Sequence, residues 1–313
     1  MCDIVCLGVL CADAIVKPVD KFPDKGKLNL VDQLELHTGG CATNAAIDLA
    51  KMGIKPAIIG KVGNDGFGNF LYNTLKKEGV DVKGLKLSKD VSTSASIVLS
   101  SSDGERTFLH CLGSNAEFQN TDIDFTIIEN AKILFIAGSL LMPKFDGQQT
   151  ADTLKKAQDA GVYTVLDTAW DSTGRWMSAI KPCLPYLDLF IPSIEEAEMI
   201  SGKSDVNDMA DVFIGLGAKL AVIKMGKRGC FIKRPDGTTY TIPTYLDVKA
   251  VDTTGAGDAF AAGFITGIYK GWDLEQCGKF ANAVGTHCVM AMGASNGIKP
   301  LDEILAFIKE RER

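Results

Sequence analysis

The amino-acid sequence predicts an α/β protein, a three-layer α/β/α sandwich with a small antiparallel β lid. Short runs rich in β-branched residues alternate with amphipathic stretches of helical length, the pattern of βαβ units around a mainly parallel sheet. Gly53, Gly79 and Gly161 each come just after such a stretch, and glycine is the usual residue just past a helix end. Two further segments alternate apolar and polar residues with no helix between strands, which indicates a second sheet.

The predicted core strands are short and apolar: Ile4–Leu7, Pro56–Gly60, Ile133–Ala137, Tyr163–Asp167, Leu187–Ile191 and Leu220–Lys224. The predicted helices lie between and after these strands: Thr43–Met52, Gly68–Lys77, Gln148–Ala160, Gly257–Tyr269, Leu274–Met290 and Leu301–Arg311. The last third of the chain is therefore expected to be mainly helical.

The alternating segments are Leu28–His37 and Ser94–Leu112, and each predicts antiparallel strands with one face in water. We expect them to form the lid, at approximately residues 13–37 and 94–112 of a single domain that spans residues 1–313. The chain contains no internal repeat, low-complexity tract or long linker that would divide it.

Composition narrows the class of protein. The net charge of −6 disfavours a nucleic-acid-binding protein, because such proteins concentrate lysine and arginine. The apolar stretch from Ile133 to Met142 is too short to span a bilayer, and the start of the chain carries an acid where a signal peptide carries basic residues. The nine cysteines form no Cys-x-x-Cys pair, which argues against a zinc site and a disulfide framework. We therefore expect a cytoplasmic protein that binds neither nucleic acid nor membrane.

The segment from Val251 to Phe260, VDTTGAGDAF, carries the strongest chemical signal. Small residues at 255–257 let the main chain approach a ligand, and the free N–H groups and positive dipole end of the following helix suit a phosphate. Asp258 is expected in the first turn of that helix, where a carboxylate stays ionised and can accept a proton from an alcohol.

Two more motifs accompany this segment. Residues 39–46, GGCATNAA, open a predicted helix, and residues 60–68 read GKVGNDGFG. Together with the DTTGAGDAF run, they resemble the ribokinase-like, or PfkB, carbohydrate kinases over essentially the whole chain. The resemblance implies a ribokinase-like sandwich, ATP and Mg²⁺ as cosubstrate and metal, and transfer of the γ-phosphoryl group to a primary hydroxyl of a sugar. Fructose or a similar hexose or ketose is the favoured substrate.

The resemblance also implies roles for individual residues. Asp258 is the expected catalytic base, and Gly255, Ala256 and Gly257 are expected to stabilise the transferring phosphoryl group. The residues that match sugar-binding positions are Asp13, Gly39, Gly40, Asn44 and Arg106. The positions that match the nucleotide site are Ser193, Lys224, Gly226, Gly229 and Asn282.

The resemblance also implies metal sites, and the sequence departs from the family pattern at some positions. Glu196 matches an acid that acts on magnesium through water, but Ser193 stands where the family has asparagine. Asp252 and Thr254 match a monovalent-cation site of some relatives, so K⁺ is a candidate activator. Cys41 stands where ribose-specific relatives have lysine, which weakens a ribose assignment. Relatives also suggest a homodimer formed through the lid.

Other classes of protein fit less well. A nicotinamide-dependent enzyme requires Gly-x-Gly-x-x-Gly after a strand, whereas the first strand ends in a single glycine, Gly8. A P-loop is absent, because alanine occupies position 197 upstream of Gly202-Lys203-Ser204. A nucleoside kinase of the same family stays open, since Phe108, His110 and Leu112 offer walls for a base. A non-catalytic sugar-sensing protein is the alternative from another class.

Overall fold

The computed structural model describes residues 2–103 and 105–312, and of Arg106 only the main chain. Within these ranges, nine strands form a main sheet and four form a smaller one. The strands are β1 Ile4–Gly8, β2 Cys11–Lys17, β3 Gln33–Gly39, β4 Pro56–Gly63, β5 Asp81–Ser88, β6 Ala95–Ser100, β7 Arg106–Cys111, β8 Ile133–Ser139, β9 Tyr163–Thr168, β10 Leu189–Phe190, β11 Ala221–Lys224, β12 Cys230–Lys233 and β13 Thr239–Ile242.

The main sheet has the order β13-β12-β11-β10-β9-β8-β1-β4-β5. Pairing is parallel from β5 through β11, whereas β12 pairs antiparallel with both β11 and the edge strand β13. The central strands β1 and β8 are buried along their whole length, as expected of parallel strands covered on both faces. The carboxyl ends of the parallel strands consequently meet along one edge, where ligands of open α/β sheets bind.

The described α-helices are α1 Cys41–Lys51, α2 Gly66–Lys77, α3 Gly113–Ala116, α4 Phe125–Glu129, α5 Gln148–Asp159, α6 Trp176–Ile180, α7 Ile194–Ser201, α8 Val206–Gly215, α9 Ala256–Lys270, α10 Leu274–Val289 and α11 Leu301–Arg311. They cover both faces of the main sheet. On β1, Ile4 and Cys6 pack with α1, α2 and α9–α11, whereas Val5 and Leu7 pack with α4–α8. Successive strand residues point to opposite faces, so one strand serves two cores. The predicted three-layer sandwich is confirmed.

The smaller sheet is the lid, and its strand direction corrects the prediction. Its order is β3-β2-β6-β7; β2–β3 and β6–β7 are antiparallel, but β2 and β6 run parallel. The lid is therefore two hairpins joined side by side and not a wholly antiparallel sheet. Alternation of apolar and polar residues reports which face of a strand is wet, and it carries no information on the direction of the neighbouring strand.

Several element boundaries also differ from the prediction. The segment predicted to begin a strand at Leu28 becomes a strand only at Gln33, and Leu187–Ile191 reduces to the two-residue β10. Strand β5 and the β12–β13 hairpin were not predicted. Strand β5 lies at the sheet edge and exposes Asp81 and Lys83, so it lacks the apolar run of a central strand. No helix in the described part of the chain is long and apolar enough to cross a membrane.

Candidate active site

The start of α9 is shaped by glycine. Gly255 has φ +77°, the left-handed region, and a Cβ there would lie 2.6 Å from the Ala294 carbonyl oxygen. Only glycine therefore allows the chain to turn into α9 at this point. The nest, defined here as the main-chain N–H groups of Gly255, Ala256 and Gly257, opens at this turn. One member is engaged, because the Ala256 N–H donates to the Thr253 carbonyl at 3.2 Å, whereas helix geometry leaves the Gly257 N–H without a partner four residues back.

Asp258 lies one residue beyond the nest, in the first turn of α9. The Asn44 side-chain amide donates a hydrogen bond to Asp258 Oδ2 at 2.8 Å. Asn44 belongs to the first turn of α1, which follows Gly40 at φ +88°. The starts of two helices thus converge on one carboxylate. The Asn44 Oδ1 atom is buried and has no hydrogen-bond partner among the described residues, so it can accept a hydrogen from a ligand.

The charge state of Asp258 reflects opposing effects. Burial raises the pKa of Asp258 above the usual aspartate range, while the Asn44 hydrogen bond, the Lys224 ammonium and the Cys41 thiol lower it and Glu196 raises it. The sequence predicted only the stabilising effect of the helix start on the carboxylate. The upward shift of the pKa comes from its enclosure by the tertiary structure, and it makes Asp258 a stronger base.

A buried ion pair that includes one unpredicted residue lies behind the nest. Lys224, at the end of β11, contacts Asp167 Oδ2 at 2.6 Å and Oδ1 at 2.8 Å. Burial raises the pKa of Asp167 to about 7, although Lys224 lowers it. Burial alone would lower the pKa of Lys224, but Asp167, Glu196 and Asp258 raise it. Asp167 was predicted only as a strand end, and an acid closing an otherwise apolar strand was the available signal.

Ser193 and Glu196 form the start of α7. The Ser193 hydroxyl accepts from the Glu196 N–H at 3.3 Å, and Glu196 Oε2 accepts from the Ser193 N–H at 3.0 Å, which is a capping box. The Thr168 hydroxyl also donates to Glu196 Oε2 at 2.8 Å. Ser193 is therefore a helix cap in this structure, and the Glu196 carboxylate is held in one orientation beside the Asp167–Lys224 pair.

A cavity of about 530 Å³ extends from the nest along the C-terminal half of the chain. Its apolar walls include Leu246, Val248, Phe260 and Val289. The predicted nucleotide-site residues Lys224, Gly226, Gly229 and Asn282 all line it.

Two of these lining residues also shape the cavity wall. The Asn282 amide nitrogen donates to the carbonyls of Ile242 and Pro243 at 3.0 and 3.2 Å, so it fixes the end of β13. Gly229 has φ +86°, and a Cβ there would lie 1.9 Å from the Ile242 oxygen. Close main-chain approach therefore requires glycine at this position.

The lid carries Asp13 on β2. In the strand register, His37, Asp13, Ser96 and His110 form one row across four strands and share a face. The Asp13 carboxylate lies over Gly39, where a Cβ would meet Asp13 Oδ2 at 2.1 Å. Gly39 thus leaves room for the carboxylate beside the start of α1. The side chain of Arg106, the remaining predicted sugar-binding residue, lies outside the described residues.

Asp252 connects two loops next to the nest. Its Oδ1 accepts from the Thr254 N–H and its Oδ2 from the Gly293 N–H, both at 2.9 Å. The Thr254 carbonyl accepts from the Cys288 thiol at 3.3 Å. The residues matched to a cation site therefore join the segment that leads into α9 to the loop after α10.

Comparison with known proteins agrees with this geometry. The family description "pfkB family carbohydrate kinase" matches residues 1–300. A protein of Arabidopsis thaliana named probable fructokinase-5 is 31% identical over 295 residues, covering 88% of this chain and 90% of that one. The 5-dehydro-2-deoxygluconokinase of Clostridium perfringens is 28% identical over 289 residues, covering 88% of this chain and 85% of that one.

A solved structure shares the fold. The Arabidopsis thaliana ribokinase complexed with ribose and ATP superposes with a TM-score of 0.85 at 23% identity, covering 98% of this chain and 99% of that one. The glycine-rich start of α9, the Asn44–Asp258 pair and the adjoining cavity thus occur on a shared kinase fold. The chain belongs to the pfkB family of carbohydrate kinases and is an ATP-dependent phosphotransferase.

Proposed function

We propose that this kinase transfers the γ-phosphoryl group of ATP to a primary hydroxyl of a free sugar, with fructose or a similar hexose or ketose favoured. The observation that carries the proposal is the position of Asp258. Its carboxylate lies next to the nest that ends the cavity, and Asn44 links it to the helix that follows Gly39 and Asp13. A base, a phosphate-binding turn and a hydroxyl-binding carboxylate therefore adjoin one another.

Asp258 removes the proton of the primary hydroxyl of the sugar. At the same time the hydroxyl oxygen bonds to the γ-phosphorus, and the bond between the γ-phosphorus and the β-phosphate oxygen breaks. The proton stays on the Asp258 carboxylate and ADP leaves. The N–H groups of Gly255 and Gly257 stabilise the charge of the transferring group, with the N–H of Ala256 joining if its bond to Thr253 opens. Asp13, the main chain of Gly39 and Gly40, and Asn44 Oδ1 bind the sugar.

The proposed sugar-binding site is rich in hydrogen-bond acceptors. Asp13, Asn44 Oδ1 and Asp258 all accept, so a matching ligand must supply donors, as sugar hydroxyls do. The fructokinase name of one relative supports a free ketose. A nucleoside remains the second candidate, because Phe108 and His110 stand on one face of β7 and could flank a base. Arg106 belongs to the same strand, and we propose it as a further substrate contact.

Metal ions complete the proposal. Magnesium takes oxygen ligands and is commonly held by one or two carboxylates together with substrate phosphates, so a fixed Glu196 carboxylate fits a magnesium held through water. When bound, the metal neutralises charge on the β- and γ-phosphates. We also propose a monovalent cation beside Asp252 and Thr254. Replacing K⁺ by tetramethylammonium should lower kcat, and unchanged turnover would remove this part of the proposal.

The test is ATP consumption against a panel of free sugars, sugar acids and nucleosides, with Asp258→Asn measured in parallel. A substrate-dependent rate that falls by about 10²- to 10⁴-fold in the variant, with nearly unchanged ATP and sugar affinity, supports the proposal. Loss of binding together with turnover would contradict the base assignment. Turnover with nucleosides alone would select the second candidate.

A further inference from the structure

The buried pair of Asp167 and Lys224 lies behind the nest and close to Asp258. Asp167 is 1% exposed, and its two carboxylate oxygens contact the same ammonium at 2.6 and 2.8 Å. Asp167 Oδ1 also accepts from the Thr168 N–H at 2.9 Å, which fixes the carboxylate at the end of β9. Asp167 thus holds the Lys224 ammonium in one position from one side.

The Lys224 ammonium lies at the junction between the nest and the cavity. A Cβ built on Gly257 would lie 3.5 Å from Lys224 Nζ, so the ammonium sits directly against the first turn of α9. Lys224 and Gly257 both line the cavity. An ammonium has three N–H donors, and the Asp167 contacts account for two of them among the described residues. The remaining donor is available to a group that reaches the nest.

Further carboxyl groups lie near the Lys224 ammonium. Asp167 contacts it directly, and the negative charges of Glu196 and Asp258 also favour its protonated form. A γ-phosphoryl group brought to the nest adds negative charge to the same region. An ion pair taken out of water is a poor source of stability compared with apolar side chains of similar volume. Stability alone therefore gives little reason to keep this pair behind a phosphate-binding turn.

We propose that Lys224 contacts the transferring γ-phosphoryl group through its remaining N–H donor, and that Asp167 is the positioning residue that holds the ammonium against Gly257. This inference rests on the proposed kinase mechanism. Lys224 stabilises charge that develops in the transition state, and Asp167 acts through Lys224 without touching either substrate.

Binding gives the first test, because it does not depend on turnover. The affinity of Lys224→Met for the non-hydrolysable analogue AMP-PNP and for ADP is measured by calorimetry with Mg²⁺ present. We expect AMP-PNP affinity to fall roughly 10- to 100-fold, the size expected for a hydrogen bond to a charged group, and ADP affinity to change less than about threefold. Equal losses for both nucleotides, or no loss for either, would overturn the contact with the γ-phosphoryl group.

Steady-state kinetics give the second test. In Lys224→Met, kcat should fall about 10²-fold with the KM for sugar unchanged, and Lys224→Arg should recover part of the loss because it retains the charge. The matched control is Lys219→Met, which removes an exposed lysine that contacts Asp188 at 2.8 Å away from the cavity. A kcat within threefold of wild type in Lys224→Met would overturn the inference.

The positioning role of Asp167 is tested by a double-mutant cycle. Asp167→Asn alone should lower kcat about tenfold, and in the Lys224→Met background it should lower kcat no further. A further loss in that background would show that Asp167 acts independently of Lys224. If Asp167→Asn does not fold, Asp167→Leu/Lys224→Met replaces the pair by apolar side chains, and its kcat should match that of Lys224→Met.

The two proposals fail in different ways. A wild-type protein that turns over no sugar or nucleoside contradicts the proposed function. An active wild type whose kcat is insensitive to Lys224→Met contradicts only the inference about the ion pair.

Discussion

The Asn44 side-chain amide donates to Asp258 Oδ2 at 2.8 Å across 214 positions of sequence. The bond joins the first turn of α1 to the first turn of α9, so the two glycine-rich motifs meet at a side-chain contact. The amide nitrogen of Asn44 orients the Asp258 carboxylate, while Asn44 Oδ1 stays available to accept a hydrogen bond from a ligand. Asn44 therefore has two functions in the proposed site, binding the acceptor hydroxyl and orienting the base.

Replacing Asn44 by alanine should lower kcat and raise the KM for sugar together, because one change removes the donor to Asp258 and an acceptor for the sugar. We expect kcat to fall about 10- to 100-fold, in the range of a lost hydrogen bond to a charged group. Initial rates at varied sugar concentration measure both constants. Asn130→Ala, which removes an exposed amide bonded to the Thr126 carbonyl, is the control. A loss confined to KM would contradict the orienting function.

The pH dependence of kcat/KM should report the environment of Asp258. The base must be ionised, and burial raises its pKa, so activity should fall on the acid side at a pH above the ordinary aspartate value of about 4. The Asn44 hydrogen bond lowers this pKa, so Asn44→Ala should move the acid limb to higher pH. Profiles of wild type and variant between about pH 4 and about pH 9 test this. A shift to lower pH in the variant would contradict the assignment.

The buried carboxyl group of Asp48 should lower the free energy of unfolding at neutral pH. Its side chain is fully buried in α1, and neither carboxylate oxygen has a hydrogen-bond partner among the described residues. Burial raises the pKa of Asp48 well above its ordinary value, and Ser295 and Lys51 offset only part of this. As the pH rises from the unfolded-state pKa of about 4 toward the raised folded-state pKa, the unfolded chain loses a proton that the folded chain retains, so stability falls.

Asp48→Asn removes this titration. Relative to wild type, the variant should gain free energy of unfolding progressively above about pH 4, and the gain should level off above the folded-state pKa. Urea unfolding at about pH 4, 6 and 8 measures the difference. The exposed Asp159, paired with Lys155, supplies the control variant Asp159→Asn. A difference independent of pH would show that Asp48 is ionised in the folded protein.

The outer face of the lid is proposed as a homodimer interface. Leu36, Ala14, Ile97 and Leu109 form one row across the four strands, on the face opposite to the Asp13 row. Leu36, Ile97 and Leu109 are exposed. Contiguous exposed apolar surface of this kind is typical of interaction sites. The charged substitutions Ile97→Glu and Leu109→Glu together should therefore convert a dimer into a monomer.

Light scattering after size-exclusion chromatography measures the mass in solution. The control is Leu305→Glu, which places the same charge on an exposed leucine of α11 outside the lid. A wild-type monomer, or a double variant that remains dimeric, would contradict the interface.

Much of the fold was predictable from local sequence. The buried runs at β1 and β8 and the helix starts after Gly40 and Gly255 follow from apolar pattern and backbone freedom, which depend on residues close in sequence. The single-domain boundary over residues 1–313 stays a prediction. The site roles remain predictions too, although the structure brings Asp258, Asn44 and the cavity residues into one region.

The layered α/β class, the glycine-rich turn before Asp258 and the family follow from the sequence, because periodicity and motif spacing are local properties. The parallel pairing of β2 with β6, the hydrogen bond from Asn44 to Asp258 and the pairing of Asp167 with Lys224 become visible in the folded chain alone. Each of these joins segments that are distant in sequence. Which distant strand or side chain each of them meets depends on how the whole sheet and its helices pack. The residues next to them in sequence do not specify that partner.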